Sequence, residues 1–355
     1  MSSDTSSSAQ KTTTLLSISH DKDVDGLASA AIVRRYAKSK GLDYDVILTD
    51  YGGFEKVFGK VAAYRNALIV VTDLGMDESQ LENVISGLSR AISQGCRIVW
   101  LDHHQWSNES AKRILSLENK PVLKVNHDHC AAEIAFKVLL PRDEISKELA
   151  VIAHDTDFNL RELEVANSLA DALSVIRFGA LDKREDLTQA LKPLLISIAD
   201  EGPTGIWNQA TRQFKDPLLS KRVENYRKER LKKIRKALAA HCDHEIHGRL
   251  VRIIEMPSGV TTTDMGTFLT DPGNLNHEGE DLSVADLLIT ISQGGMLGFR
   301  RGTERVSCSA AAKLFNGGGH PYAAGGEYGM YDNFAAACDD IFLILSKDQS
   351  WLEET

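Results

Sequence analysis

The residues best suited to chemistry lie in four short stretches of the sequence. They are the acids and histidines of HDKDVDG, VTDLG, LDHH and AHDTDF, namely His20, Asp21, Asp23, Asp25, Asp73, Asp102, His103, His104, Asp155 and Asp157. Carboxylates together with imidazoles suit Mn²⁺ or another divalent ion of intermediate hardness, whereas oxygen ligands alone would indicate Mg²⁺ or Ca²⁺. There are enough ligands for two ions that share one carboxylate. Such a pair can activate a water and hold phosphate oxygens, which indicates hydrolysis at phosphorus.

Apolar, β-rich runs precede three of these stretches and predict the elements that position them. The runs are LLSIS, YDVILTDY, ALIVVTDL, RIVWLDHH and PVLKVN, and helical patterns over 26–40, 78–94 and 131–140 lie between most of them. This alternation predicts a parallel sheet covered by helices on both faces. Ligands bind such sheets outside the carboxyl ends of the strands. The run LAVIAHDTDF is expected to bring Asp155 and Asp157 to the same edge.

A structural interpretation competes with the chemical one in each stretch. Asp favours helix starts, so HDKDVDG is also typical of a helix N-cap in a solvated loop. Two adjacent histidines after a buried strand are harder to explain structurally, because histidine is seldom buried without a partner. The pairs His127/His129 and His241/His244, the latter beside Cys242, favour loop and surface positions over metal sites.

Composition limits the class of protein. The 355 residues suffice for two domains, and no apolar run reaches the length of a membrane span. The N-terminus lacks the pattern of a secretory signal, and the five cysteines form no C-x-x-C pair, which together favour a cytoplasmic protein without disulfides.

The charge is distributed unevenly. The net charge is −9, but residues 211–240 carry eleven Lys or Arg against three Asp or Glu, which leaves −17 for the remainder. The segment KRVENYRKERLKKIRKAL predicts one amphipathic helix. It is interpreted either as a solvated connecting helix or as a cationic surface for a phosphate backbone.

The motifs resemble a known family. SHDKDVDGLAS, VTDLG, LDHH and AHDTDF resemble, in order, the four motifs of the DHH phosphoesterase superfamily, and NGGGHPYAAGG resembles the glycine-rich loop of its DHH-associated C-terminal domain. The resemblance implies an α/β protein with a parallel-sheet DHH domain, a linker helix and a smaller αβ DHH-associated domain. The boundaries expected are a lead-in at 1–13, the DHH domain at 14–200, the linker at 201–240 and the second domain at 241–355.

The resemblance implies a role for each motif residue. His20, Asp23 and Asp73 would hold one Mn²⁺, and Asp25, His103 and Asp155 the second, with Asp73 bridging. Mg²⁺ or Co²⁺ would be substitutes. Asp102 would orient a histidine, and His104 would contact the scissile phosphate. His20 lies one residue further from Asp23 than in the compact H-x-D-x-D-G form, and Asp21 is interpreted as a bystander. Asp157 is the alternative to Asp155.

The glycine loop would bind substrate. Gly317, Gly318 and Gly319 permit a close approach of the backbone to a ligand, and by resemblance His320 contacts phosphate or base. Arg300 or Arg301 would clamp a phosphate; the sequence does not decide between them.

The function implied is a Mn²⁺-dependent phosphodiesterase or exonuclease that degrades short single-stranded RNA or DNA to mononucleotides by a two-metal mechanism, in the cleft between the domains. The acidic bulk of the chain favours short substrates. The alternatives are hydrolysis of 3′-phosphoadenosine 5′-phosphate or of linear or cyclic dinucleotides, a RecJ-like exonuclease, a family II pyrophosphatase and a non-catalytic scaffold in a replication complex. No membrane partner is expected, and a homodimer is left open.

Overall fold

A computed structural model describes residues 13–277 and 280–353 of the chain. The chain forms two compact units that meet within one helix, the first ending at Glu224 and the second beginning at Asn225. Of the lead-in expected at 1–13, residues 1–12 lie outside the described residues. Within the described ranges, none of the helices combines the length and the hydrophobicity that a membrane span requires.

The first half of the first unit alternates strands and helices. In chain order these elements are β1 (Thr14–His20), α1 (Val24–Ser39), β2 (Asp43–Thr49), α2 (Phe54–Val61), β3 (Ala67–Thr72), α3 (Leu81–Ser93), β4 (Arg97–Asp102), α4 (Asn108–Leu115) and β5 (Val122–Val125). The strands form one parallel sheet in the order β2-β1-β3-β4-β5. The parallel α/β sheet expected from the sequence is therefore confirmed.

Helices cover both faces of this sheet. On one face, Leu16 and Ile18 of β1 pack in a core with Phe58 of α2 and Leu88 of α3. On the other face, Leu15 packs with residues that include Val33 of α1. Successive side chains of a strand point to opposite faces, so burial on both faces requires the nearly continuous apolar runs of the sequence. All five strands end at the same edge, which we call the carboxyl edge.

Helices complete the first unit. They are α5 (Ala131–Leu139), α6 (Glu144–Asp157), α7 (Glu164–Lys183) and α8 (Leu187–Glu201), followed by the short strands β6 (Trp207–Asn208) and β7 (Gln213–Phe214). The run LAVIAHDTDF belongs to α6 and is not strand-like, which corrects the expectation for the fourth motif. Asp143 begins the helix by accepting the backbone N–H of Ser146 at 2.8 Å, and Leu149, Ile152 and Ala153 are buried at helical spacing.

The second unit contains a smaller sheet. It comprises the end of α9 (Pro217–Leu238), then β8 (Cys242–Ile246), β9 (Arg249–Glu255), α10 (Thr262–Leu269), α11 (Pro272–Leu275), β10 (Asn276–His277), β11 (Glu280–Asp281), β12 (Leu287–Ile291), β13 (Met296–Arg301), α12 (Cys308–Lys313), β14 (Gly318–His320), β15 (Ala323–Glu327) and α13 (Phe334–Ser346). Six of the strands form a mixed sheet in the order β14-β15-β13-β12-β9-β8. The boundary between the units falls inside α9, between residues 224 and 225.

Candidate metal centre and active site

The carboxyl edge gathers the acids and histidines of the first three motifs. His20 ends β1, Asp73 follows β3, and His103 and His104 follow β4. Asp23 and Asp25 lie at the start of α1, where Asp23 is the N-cap and accepts the backbone N–H of Gly26 at 2.9 Å. Asp23 therefore caps helix α1 and is also a candidate metal ligand, so the two interpretations of HDKDVDG do not exclude each other.

One donor group consists of His20, Asp23 and Asp73. Nδ1 of His20 lies 2.8 Å from Oδ2 of Asp23 and 3.6 Å from Oδ2 of Asp73. Burial opposes the charge of His20, but Asp23 and its neighbouring acids raise the pKa of His20 well above the usual value. Nε2 of His20 and Oδ2 of Asp73 are buried without a hydrogen-bond partner among the described residues. The Asp73 oxygen faces the donor group, where a cation would satisfy it, whereas Nε2 of His20 faces Oδ1 of Asp50 at 3.5 Å.

A second donor group consists of Asp25, His103 and Asp157. Nε2 of His103 faces Asp73, whose Oδ1 is 3.2 Å away, and Asp25, whose Oδ2 is 3.8 Å away. Nδ1 of the same ring lies 3.6 Å from Oδ2 of Asp157. Burial opposes protonation of His103, yet these carboxylates raise its pKa to about 11. Asp73 therefore directs one oxygen to each donor group.

The acids of this site repel one another. Burial first, and then the charges of Asp73 and Asp157, raise the pKa of Asp25 well above its usual value. Burial also raises the pKa of Asp157 to about 6, against the opposing effect of His103. The two oxygens of Asp25 are fixed by the backbone N–H groups of Ala131 and Ala132 at the start of α5, each at 2.7 Å. Crowded, pre-positioned carboxylates are the arrangement that a divalent cation stabilises.

Asp73 has an unusual backbone conformation. Its φ is +56°, in the left-handed region, which Asp and Asn tolerate better than other non-glycine residues. Strained residues of this kind concentrate at functional sites. The conformation turns the carboxylate at the end of β3 towards both donor groups.

Asp102 and His104 form a separate pair. Nδ1 of His104 lies 2.8 Å from Oδ1 of Asp102, while Nε1 of Trp106 donates to Oδ2 at 2.7 Å. Burial opposes ionisation of Asp102, but His104 and Trp106 lower its pKa overall. Because the Asp102 carboxylate accepts, the proton of His104 resides on Nδ1, and Nε2 is left to face a substrate. His104 also forms a donor group with Asp73 and His103.

The fourth motif is placed differently from the expectation. Asp157 joins Asp25 and His103, whereas Asp155 belongs to none of the three donor groups found among the described residues. Oδ1 of Asp155 accepts the backbone N–H groups of Glu162 and Leu163, at 2.9 and 3.2 Å, and Oδ2 is buried without a hydrogen-bond partner. Residues two apart on a helix do not share a face, so the two carboxylates point in different directions. The assignment of Asp155 as a ligand stays a prediction.

Asp21 has a structural partner. Its Oδ1 lies 3.7 Å from Nη2 of the buried Arg177 on α7, and Asp21 is absent from the donor groups. Neither Arg177 nor Asp50 was predicted from the sequence. Oδ1 of Asp50 lies 3.5 Å from Nε2 of His20, and Asp50 also pairs with Lys22. The sequence pattern could have indicated Asp50, because this acid directly follows the carboxyl end of the strand β2.

The substrate-binding residues expected in the second unit lie on adjacent strands. Arg300 on β13 pairs with Ala323 on β15, which pairs in turn with His320 on β14. The guanidinium of Arg300 donates to the carbonyl of Phe299 at 2.9 Å and to Oγ1 of Thr263 at 3.3 Å. Burial lowers the pKa of Arg300, and among the described residues no carboxylate contacts it. An anion would supply that contact, which favours Arg300 over Arg301.

The glycine loop is closely packed. A Cβ at Gly317 would collide with the carbonyl of Gly325, and Gly319 has a φ of +139°. Gly318 has open space around it, and the ring of His320 stacks on that of Tyr322 at 5.1 Å. The loop therefore keeps its backbone accessible at Gly318 beside a stacked pair of rings, a surface on which a nucleobase could stack.

Gly26 couples the fold to the site, because the first turn of α1 packs directly on His20. A Cβ at Gly26 would collide with the carbonyl oxygen and Cβ of His20. We expect Gly26→Ala to displace His20 and to weaken Mn²⁺ binding about 10-fold or more, measured by calorimetry, with a lower unfolding temperature. Gly59→Ala is the matched control, because Gly59 also lies in a helix but has open space around it. Equal Mn²⁺ affinity in both variants would contradict this coupling.

A five-stranded parallel sheet with a cluster of acids and histidines at its carboxyl edge, followed by a smaller mixed sheet, defines a two-domain α/β protein with a candidate metal centre. Residues 16–163 match the DHH family, N-terminal domain. Members of that family are metal-dependent phosphoesterases and exonucleases. No curated protein shows significant sequence similarity to the chain.

Solved structures share the fold. RecJ from Thermus thermophilus in complex with Mn²⁺ is 17% identical, with a TM-score of 0.59, over 96% of this chain and 53% of that one, so the chain spans about half of that RecJ. An exopolyphosphatase-related protein from Bacteroides fragilis is 14% identical, with a TM-score of 0.52, over 94% and 92% of the two chains. The pGpG-specific phosphodiesterase PggH from Vibrio cholerae is 13% identical, with a TM-score of 0.51, over 93% and 98%. Identities this low establish the fold alone.

Proposed function

We propose that this protein is a two-metal phosphodiesterase that hydrolyses short single-stranded oligonucleotides to mononucleotides and uses Mn²⁺. The observation that carries the proposal is the position of Asp73 between His20 and His103, with one oxygen directed to each. Two donor groups that share one carboxylate suit a pair of divalent ions. The mixture of imidazole and carboxylate ligands favours Mn²⁺ over Mg²⁺.

The residues fit such a pair of ions. His20, Asp23 and Asp73 would hold one ion, and Asp73, Asp25, His103 and Asp155 the other. The unpartnered buried oxygens Oδ2 of Asp73 and Oδ2 of Asp155 support this assignment, since each needs a cation or a donor. When bound, the ions would activate a water and neutralise charge on the phosphate.

His104 is proposed to bind the scissile phosphate. Asp102, which also accepts the indole N–H of Trp106, fixes the orientation of the His104 ring through its contact with Nδ1, so Nε2 can approach a phosphate oxygen. The raised pKa of His104, which Asp102 causes in spite of burial, keeps the ring ready to hold a proton next to that oxygen. Its role is to bind and orient the phosphate.

The second unit is proposed to bind the nucleotide. Arg300 is a partly buried cation without a carboxylate partner, which suits a phosphate, and the stacked rings of His320 and Tyr322 suit a base. The net charge of −9 gives the chain little general attraction for long polyanions, which supports short substrates.

The test is product analysis on a panel of substrates in Mn²⁺. End-labelled RNA and DNA dinucleotides, pentamers and decamers are incubated with the protein, beside 3′-phosphoadenosine 5′-phosphate, a cyclic dinucleotide and pyrophosphate. We expect mononucleotides from the oligonucleotides, fastest from the short ones, and no product when EDTA removes the metal. Exclusive cleavage of a small nucleotide or of pyrophosphate would refute the oligonucleotide assignment, and hydrolysis in EDTA would refute the metal site.

A further inference from the structure

Two cations of α9, Arg230 and Lys233, fix the helix to the second unit. Arg230 donates from Nη1 to Oδ1 of Asp264 at 2.8 Å, and Lys233 donates from Nζ to the carbonyl of Ser258 at 2.7 Å. Ile234 and Leu238 are buried in the same unit, in a core with Ile254. These contacts define the inner side of the helix and use two of its cations.

Three other cations of α9 lie on the outer side. Lys232, Arg235 and Lys236 are exposed, and none of the ion pairs or hydrogen bonds found in 13–277 and 280–353 involves their side chains. At 3.6 residues per turn these three positions share one face of the helix. We call these three residues the basic face. The sequence pattern groups Lys233 with these cations. In the structure its contact with the carbonyl of Ser258 places it on the inner side of the helix instead.

We propose that the basic face binds the phosphate backbone of single-stranded nucleic acid and so gives longer oligonucleotides extra affinity. This inference rests on the proposed function, since it concerns the same substrates. The face spans about 6 Å along the helix, a length that covers about two nucleotides of a stacked strand. A dinucleotide has a single internucleotide phosphate, which cannot occupy the active site and the basic face together.

The chemistry of the face favours a polyanion over a membrane. A helix that binds a membrane surface inserts an apolar face beside its cations, whereas Ile234 and Leu238 of α9 are buried in the protein core. The rest of the chain is acidic, with −17 outside residues 211–240, so non-specific attraction of nucleic acid elsewhere is weak. The basic face is therefore a local exception to the charge of the molecule.

The experiment compares two neutralised variants of the full chain. The test variant carries Lys232→Gln, Arg235→Gln and Lys236→Gln. The control carries Lys60→Gln, Arg97→Gln and Lys120→Gln, which remove the same three charges from exposed positions close to the amino ends of β3, β4 and β5, opposite the carboxyl edge. Binding of a fluorescent DNA decamer is measured by anisotropy in EDTA, between about 50 and 200 mM salt. Hydrolysis of a dinucleotide is measured in Mn²⁺.

We expect the test variant to bind the decamer about 10-fold or more weakly than the unmodified protein at low salt. Because three phosphate contacts are lost, the magnitude of the slope of log affinity against log salt should fall by about 2. The control should change less than about 2-fold, and both variants should hydrolyse the dinucleotide like the unmodified protein. Equal losses in the two variants, or an unchanged slope, overturn the inference. Loss of binding to phosphatidylserine vesicles with intact decamer binding overturns it as well.

The outcomes separate this inference from the proposed function. Decamer binding that depends on the basic face, in a protein that hydrolyses no oligonucleotide, supports the inference and refutes the proposed function. Dinucleotide hydrolysis with decamer binding that is the same in both variants refutes the inference and leaves the proposed function in place.

Discussion

Asp73→Asn is expected to abolish Mn²⁺-dependent hydrolysis, with a loss of about 10³-fold or more in kcat/KM, equivalent to about 4 kcal/mol of transition-state stabilisation. Asp73 is the residue whose two oxygens face both donor groups, at 3.6 Å from His20 and 3.2 Å from His103. Asparagine tolerates the left-handed backbone conformation at this position, so the variant removes the charge and leaves the backbone in place. Calorimetry should show loss of Mn²⁺ binding, and circular dichroism an unchanged fold.

Asp21→Asn is the matched control for this prediction. Asp21 is an equally buried acid at the same edge of the sheet, but it faces Arg177 and lies outside the donor groups. We expect it to keep the Mn²⁺ stoichiometry and to lose less than about 10-fold in kcat/KM, with a lower unfolding temperature because Arg177 loses its partner. If Asp21→Asn removed an ion and Asp73→Asn did not, the assignment of the first motif would be wrong.

The sheet could be predicted because its signal is local. Strands buried on both faces are apolar over most of their length, as LLSIS and ALIVVTDL are, and both runs form parallel strands. Their polar ends then had to meet at one edge, which brought His20 and Asp73 together. Every connection between these strands contains a helix, as parallel neighbours require, but the order of the strands was not predicted from the sequence.

The errors arose where the position of a side chain depends on tertiary contacts. The fourth motif was read as a strand end, but Asp143 starts a helix there, and the helical period then separated Asp155 from Asp157. Asp21, interpreted as a bystander by resemblance, faces Arg177, a partner about 150 residues away in the chain that the sequence pattern does not show. Lys233 was grouped with its neighbours because the carbonyl of Ser258 that it contacts leaves no mark on the local pattern.

Asp155 and Asp157, the two acids of the fourth motif, differ in their surroundings, and this difference predicts which of them is a metal ligand. Asp157 faces Nδ1 of His103, while Nε2 of that ring faces Asp73 and Asp25. A carboxylate on the far nitrogen of a ligating histidine orients the ring and is not itself a ligand. Asp155 instead holds one oxygen against two backbone N–H groups and keeps the other buried without a partner. An uncompensated carboxylate oxygen is costly unless a cation contacts it.

Asp155→Asn is therefore expected to reduce the number of bound Mn²⁺ ions by one and to lower kcat/KM by about 10²-fold or more. Asp157→Asn should keep both ions and weaken their affinity about 10-fold to 100-fold. The two substitutions remove the same charge, so each is the control for the other. The reverse pattern, an ion lost only in Asp157→Asn, would make Asp157 the ligand, as its place beside Asp25 and His103 allows. Counting bound Mn²⁺ in each variant by calorimetry and electron paramagnetic resonance therefore decides how the second ion is held.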